Sequence, residues 1–220
     1  ASEADYDTLC RPGHMWMQLL EGDHVSTDVA VVDGEPKWWR HARGKPAGHG
    51  MFDYWTVFAA PVAPVEAHVD AWIRQHLAGY SGMTNFETIG ARIIECHLRL
   101  TDQWPDIYGG RPWVEALVGL YQHRRWSFED ANRRQGYSVA LFGPHEGHYR
   151  RPAPGLTAEI LTRPGISSVQ ITFHDDKPND WHSNPPGGFR LAIVNCFDLE
   201  AGRQARRDLA AAFGLLAPLN

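Results

Sequence analysis

Three side chains alternate along residues 92 to 99 in a pattern that could meet a metal ion and a phosphate: Glu95, His97 and Arg99. On a strand, side chains two apart share a face. These three then point one way, while Ile94, Cys96 and Leu98 point the other, towards a core. A carboxylate, an imidazole and a guanidinium side by side suit a divalent cation and oxyanions. Glu87 joins them if the chain doubles back in a tight hairpin through Gly90. The competing reading of so short a pattern is a solvated sheet face.

The elements that must position these residues are also readable. Val25, Thr27, Val29 and Val31 alternate with Ser26, Asp28 and Ala30, which predicts a strand after an extended segment at residues 15–20. Asp33-Gly34 is a hairpin signal, and residues 37–41 are the expected return strand. The Gly- and His-rich stretch 42–50 reads as a loop, and 52–58 as another strand. Pro61 and Pro64 then lead into an amphipathic helix on which Val65, Val69, Trp72, Ile73, His76 and Leu77 recur at three- and four-residue steps, ending near Gly79. A second helix opens at Pro112, with Trp113, Leu117, Val118 and Tyr121 as its buried stripe.

A polar stretch over 127–135 marks the expected boundary between a core part, 1–127, and a smaller β-rich α/β module, 128–220. That module predicts strands near 137–142, 167–174 and 189–197, then a helix over 199–213 faced by Ala205, Leu209, Ala212 and Phe213. Residues 175–180 and 184–188 read as loops. The fold class is α+β, an antiparallel sheet with helices followed by the smaller module.

Composition excludes several function classes. Of 220 residues, 43% are hydrophobic and 21% charged, as in a folded globular chain, and the net charge of −5 gives no electrostatic case for nucleic acid or an anionic membrane. No apolar run approaches the length of a membrane span. Three widely spaced cysteines without a Cys-x-x-Cys motif point to a reducing, cytoplasmic setting.

The order of these pieces resembles the C-terminal half of the ATP-grasp superfamily. The residues that carry it are Gln18-Leu19-Leu20-Glu21-Gly22, Ser26-Thr27-Asp28, Asp33-Gly34, the helix after Pro64, Asn85-Phe86-Glu87 and Glu95-Cys96-His97-Leu98-Arg99, the last in place of the family's Glu-x-Asn-x-Arg strand. The match covers residues 15 to about 103, and the C-terminal module resembles the small β-rich lid of some members. The resemblance implies an ATP-dependent ligase that activates a small-molecule carboxylate as an acyl phosphate and passes it to an amine or similar nucleophile. It implies magnesium or manganese on Glu87 and Glu95, with His97 assisting, and Arg99 on phosphate or substrate acid. It places Gln18, His24 and Asp28 on the nucleotide side.

Three departures qualify that likeness. His97 stands where the family has Asn, and imidazole favours manganese or zinc over magnesium. The spacing from Glu87 to Glu95 is short, which requires a tight hairpin. No Gly-rich phosphate loop or phosphate-gripping Lys precedes residue 15, so the resemblance implies a fragment or truncated relative, completed by an N-terminal half. Two other readings stay open: a non-catalytic module for binding or assembly, and a metalloenzyme site built from Glu95 and His97 with His41, His49 or His174.

Overall fold

Asp33 and Gly34 both take positive φ, 52° and 79°, the left-handed geometry that a type I′ turn requires. They join β1 (His24–Val32) to β2 (Glu35–Gly48). The computed structural model describes residues 18–174, 176–177 and 185–215, together with 5, 8, 10, 12 and 13. Six more strands follow: β3 (Met51–Val57), β4 (Gly82–Ile89), β5 (Arg92–His97), β6 (Gly136–Gly143), β7 (Ile166–Ile171) and β8 (Phe189–Cys196). All eight pair antiparallel in one sheet, in the order β5-β4-β1-β2-β3-β6-β8-β7. The helices are α1 (Ala63–His76), α2 (Pro105–Tyr108), α3 (Gly110–His123), α4 (Pro154–Leu161) and α5 (Leu199–Ala212). This is the α+β class expected from the sequence. No helix among the described residues is long and apolar enough to cross a membrane.

Strand alternation divides the sheet into a back and a front. On the back, α1 sets Val65, Val69 and Ile73 against Val25, Val29 and Phe86. At the other end of the same face, Ala205 and Leu209 of α5 and Ile160 of α4 pack on Val139, Leu141 and Val194. On the front, Trp38, Trp55 and Met83 meet Trp104, Tyr108 and Trp113, carried by α2, α3 and the segment before them. β1 is therefore covered on both faces and buried from Val25 to Val31. That explains its nearly unbroken β-prone run.

Several expectations need correction. Residues 42–48 are not a loop, because β2 runs on to Gly48, and only His49 and Gly50 turn the chain into β3. Their Gly and Pro content shows instead as register shifts around Pro46, the bulges such residues favour in a strand. Gly44 has a packing reason: a Cβ there would lie 2.5 Å from the Phe52 ring. α3 starts at Gly110, so Pro112 lies inside its first turn. Its buried stripe is Trp113, Ala116 and Leu120, while Val118 and Tyr121 are exposed. Helix α4 has no counterpart among the expected elements, and of the extended segment at 15–20 only Gln18, Leu19 and Leu20 are described, outside any strand. The loop expected at 175–180 lies largely outside the described residues, as does the start of the one at 184–188.

The last helix matches its expected span and shows why it starts where it does. Asp198 Oδ1 accepts hydrogen bonds from the backbone N–H of Glu200 (2.9 Å) and Ala201 (3.1 Å), satisfying donors that have no partner within the helix. Asp198→Ala is expected to cost about 1 kcal/mol, read as a lowered urea midpoint with an unchanged m value.

Candidate active site

Gly90 and Ala91 take φ of 56° and 63° and close β4 onto β5 as a tight hairpin. The register sets Glu87 opposite Glu95, Phe86 opposite Cys96 and Asn85 opposite His97. Phe86 and Cys96 pack on the back-face core under α1. Glu87 and Glu95 point to the front. The predicted alternation holds from Glu95 to His97, but the register shift sets Ile93 rather than Ile94 on the core beside Cys96, and the strand ends at His97, which leaves Leu98 exposed. Arg99 lies past the strand end, where its Nη1 donates to the Leu100 carbonyl (3.0 Å).

Both glutamates line an open cleft of about 1030 Å³ on the front face. His24 Nε2 donates to Glu87 Oε2 at 2.7 Å, and that bond holds the Glu87 carboxyl below its usual range, although burial pushes it up. The His24 ring itself packs edge-on against both Phe52 and Trp55, with its centroid 5.4 Å from each. These two rings, 4.4 Å apart, form an aromatic wall of the cleft. Glu95 pairs with His97 at 2.9 Å. The arrangement is two carboxylates on neighbouring strands, each oriented by an imidazole.

The segment after β5 crosses the front of the sheet and forms another side of the cleft. Gln103 offers its carbonyl to Gln170 Nε2 (3.1 Å) and Asn195 Nδ2 (2.6 Å). Its anchor is Asp28. That carboxylate accepts from the Thr101 backbone N–H (3.0 and 3.2 Å), Asn85 Nδ2 (2.8 Å) and the Tyr108 hydroxyl (2.7 Å). It is buried and does not line the cleft. Burial pushes its pKa up to about 6, against the pull of Tyr108, Asn85, Thr101 and the Arg99 charge.

Of the residues singled out in the sequence, Glu87 and Glu95 line the cleft, with His24 paired to the first and His97 to the second. Asp28 lies buried, held between Asn85 and Tyr108. Arg99 is absent from the cleft lining, and Gln18 lines a separate groove with His68 and Arg92. His41 is buried on the back face between Thr27 (2.9 Å) and Glu66 (2.9 Å). Burial lowers its pKa, so a neutral ring donating to Glu66 and accepting from Thr27 fits the site. Sequence reading missed the aromatic wall and Arg190, which also lines the cleft. Phe52 and Trp55 sit on a strand that was predicted, but nothing local marks Arg190.

The donor set suits one kind of metal site. Two carboxylates from paired strands offer hard oxygen ligands. Among the described residues, no group of three or more His, Cys, Asp or Glu side chains is gathered to hold a metal. Magnesium fits such a pair, because it keeps much of its octahedron for water and phosphate oxygens.

No protein-family model and no curated protein matches the chain. Solved structures do. The phosphoribosylaminoimidazole carboxylase ATPase subunit of Aquifex aeolicus is similar over 90% of this chain and 57% of its own length, with 14% identity and a TM-score of 0.57. For the L-amino acid ligase of Bacillus licheniformis the figures are 89%, 54%, 12% and 0.57. The biotin carboxylase domain of Hydrogenobacter thermophilus 2-oxoglutarate carboxylase, in complex with MgADP, ADP and bicarbonate, aligns over 87% of this chain and 45% of its own length, at 13% identity and a TM-score of 0.51. The chain thus spans about half the length of each of these three structures, and the fold it carries is that of part of the ATP-grasp enzymes.

Proposed function

We propose that this chain supplies the metal-side part of the active site of an ATP-dependent carboxylate ligase. The observation that carries the reading is the Glu87–Glu95 pair, register partners that face an open cleft in a fold shared with ATP-grasp enzymes. Glu87 and Glu95 would hold magnesium or manganese, with His24 and His97 fixing their rotamers. The metal would offset charge on the transferring phosphoryl group. Arg99 stands close enough to act electrostatically on Glu87 and Asp28, and on this reading it swings from Leu100 to a phosphate oxygen. Gln18, exposed on its own groove, and the buried Asp28 would act outside the phosphate contacts.

The reaction balances without a redox partner. A substrate carboxylate oxygen bonds to the γ-phosphorus of ATP and ADP leaves. An amine nitrogen then bonds to the acyl carbon, phosphate leaves, and the nitrogen gives up a proton to solvent. The rest of the nucleotide clamp would come from outside these 220 residues. The part up to residue 127 provides the carboxylates on this reading, and the part from 128 provides the facing side of the cleft.

A second reading has its own support: both glutamates are already engaged by histidines, as expected of a fold half kept for assembly. Calorimetric titration of ATP with magnesium, then manganese, separates the two. Metal-dependent micromolar binding to the 220-residue chain is expected of the catalytic reading. Nucleotide binding that ignores EDTA overturns the metal pair. A folded chain with no affinity for nucleotide or manganese supports the assembly role.

A further inference from the structure

Four buried oxygen atoms without a hydrogen-bond partner among the described residues gather in one part of the fold: Ser138 Oγ, Ser168 Oγ, Asn195 Oδ1 and Asp106 Oδ2. Asn195 on β8 is in register with Ser138 on β6 and with Ser168 on β7. Register partners share a face, with Cβ atoms about 5 Å apart. Ser138 is also the partner of Trp55, which packs on the front. Asp106 reaches this row from α2, where its Oδ1 accepts from Asn195 Nδ2 at 2.6 Å. The same amide nitrogen donates to the Gln103 carbonyl. Both partners are acceptors, which fixes the orientation of the amide and leaves Asn195 Oδ1 without a donor. Ser138 and Asn195 are 1% and 0% exposed, so bulk water does not supply one.

Folded proteins seldom leave such groups bare. A buried water satisfies an amide or a hydroxyl, but Asp106 adds a charge. Among the described residues, its one hydrogen bond is to a neutral amide. A carboxylate held out of water by neutral groups alone is costly, which favours a cation over water. One formal charge beside three neutral oxygens balances a monovalent ion, whereas calcium sites gather more carboxylates. With no imidazole or thiolate among the four, softer metals have no preferred ligand. The serines stand two strand spacings apart, roughly 9.6 Å, too far for one small ion to touch both. Asp106 Oδ2 and Asn195 Oδ1 belong to the two groups joined by the 2.6 Å bond, so they are the direct ligands.

We propose that Asp106 and Asn195 bind a monovalent cation, sodium or potassium, between α2 and the β6-β8-β7 part of the sheet. Ser138 and Ser168 hold the water that completes its shell. Gln103 lines the cleft, whereas Asp106 and Asn195 do not. The ion therefore lies behind the cleft wall and clamps the segment that forms it. This site needs neither nucleotide nor the glutamate pair, so it stands apart from the ligase reading.

The test uses the 220-residue chain without nucleotide or divalent metal. Potassium or sodium chloride replaces tetramethylammonium chloride at constant ionic strength, followed by amide chemical shifts and thermal unfolding. Saturable shifts at Gln103, Asp106 and Asn195 are expected with potassium or sodium, together with a Tm higher by several degrees. The ion that saturates first is the one the site prefers. Asp106→Asn sets an amide N–H group beside Asn195 Oδ1. It should raise the Tm in tetramethylammonium and abolish the response to both metal ions. Ser138→Ala should fold and weaken ion binding several-fold, and it decides the matter if Asp106→Asn does not fold. The same shifts and Tm in all three salts mean that water fills the site, and overturn the proposal. A response that the deciding variant leaves unchanged overturns it too, as does saturation by calcium far below the concentrations that either monovalent ion needs.

Discussion

Glu95→Gln is expected to leave the protein folded and to remove magnesium-dependent ATP binding. The Glu95 side chain is 53% exposed and its one ionic partner among the described residues is His97, so the exchange should change stability by no more than about 0.5 kcal/mol. The shape is kept while one formal charge is lost. A magnesium site with two protein carboxylates depends on that charge, since its other ligands are water and phosphate. A loss of at least about tenfold in apparent affinity follows, roughly 1.4 kcal/mol, and manganese should show it too. Glu87→Gln should act in the same direction. It also breaks the bond to His24, whose ring is packed on Phe52 and Trp55, so some disorder of the aromatic wall is expected with it. Unchanged metal-dependent nucleotide affinity in Glu95→Gln would sink the assignment of the pair.

The carboxylate pair is legible in the sequence as far as its determinants are local. A two-residue period and a Gly at the turn bring Glu87 and Glu95 onto adjacent strands, while their direct pairing comes from the register shift between Glu87 and Thr88, which nothing in the sequence marks. The Asp33-Gly34 turn and the Val65, Val69 and Ile73 stripe are legible for the same reason. Residues 42–50 mislead because glycine and proline mark turns and bulges alike, and only pairing with β3 distinguishes the two. The α3 stripe is misread because Val118 and Tyr121 are apolar yet face outward. A helix pattern gives a stripe but not the side the sheet will cover. Arg190 is further out of reach. Its setting depends on Asp102, a residue 88 positions earlier, carried across the front of the sheet by the segment that Asp28 anchors.

That anchor gives the second large effect, a pH dependence of stability with an unusual sign. Asp28 is fully buried, and burial raises its pKa from an ordinary 3.8 to about 6. Between these values the folded protein holds a proton that the unfolded chain has released. Its contribution to stability is therefore full below pH 3.8 and is lost as the pH rises through about 6. The shift corresponds to about 3 kcal/mol. Glu87 is shifted the other way, with stability present above its unfolded pKa and lost as pH falls, so the whole-protein curve mixes both signs. Comparison with Asp28→Asn isolates the group. The amide cannot accept from Tyr108 and Asn85 through both of its heavy atoms, which gives a pH-independent penalty of about 1–3 kcal/mol. On top of that constant, the gap should move against the wild type by about 3 kcal/mol from roughly pH 4 to pH 7, enough to close or reverse it, as the wild-type carboxylate is forced to ionise inside the protein. Urea midpoints at several pH values measure it. A gap that stays constant across that range would mean that the Tyr108, Asn85 and Thr101 donors stabilise the charge as fully as water does. The segment over the cleft would then be held by an ionised carboxylate at every working pH.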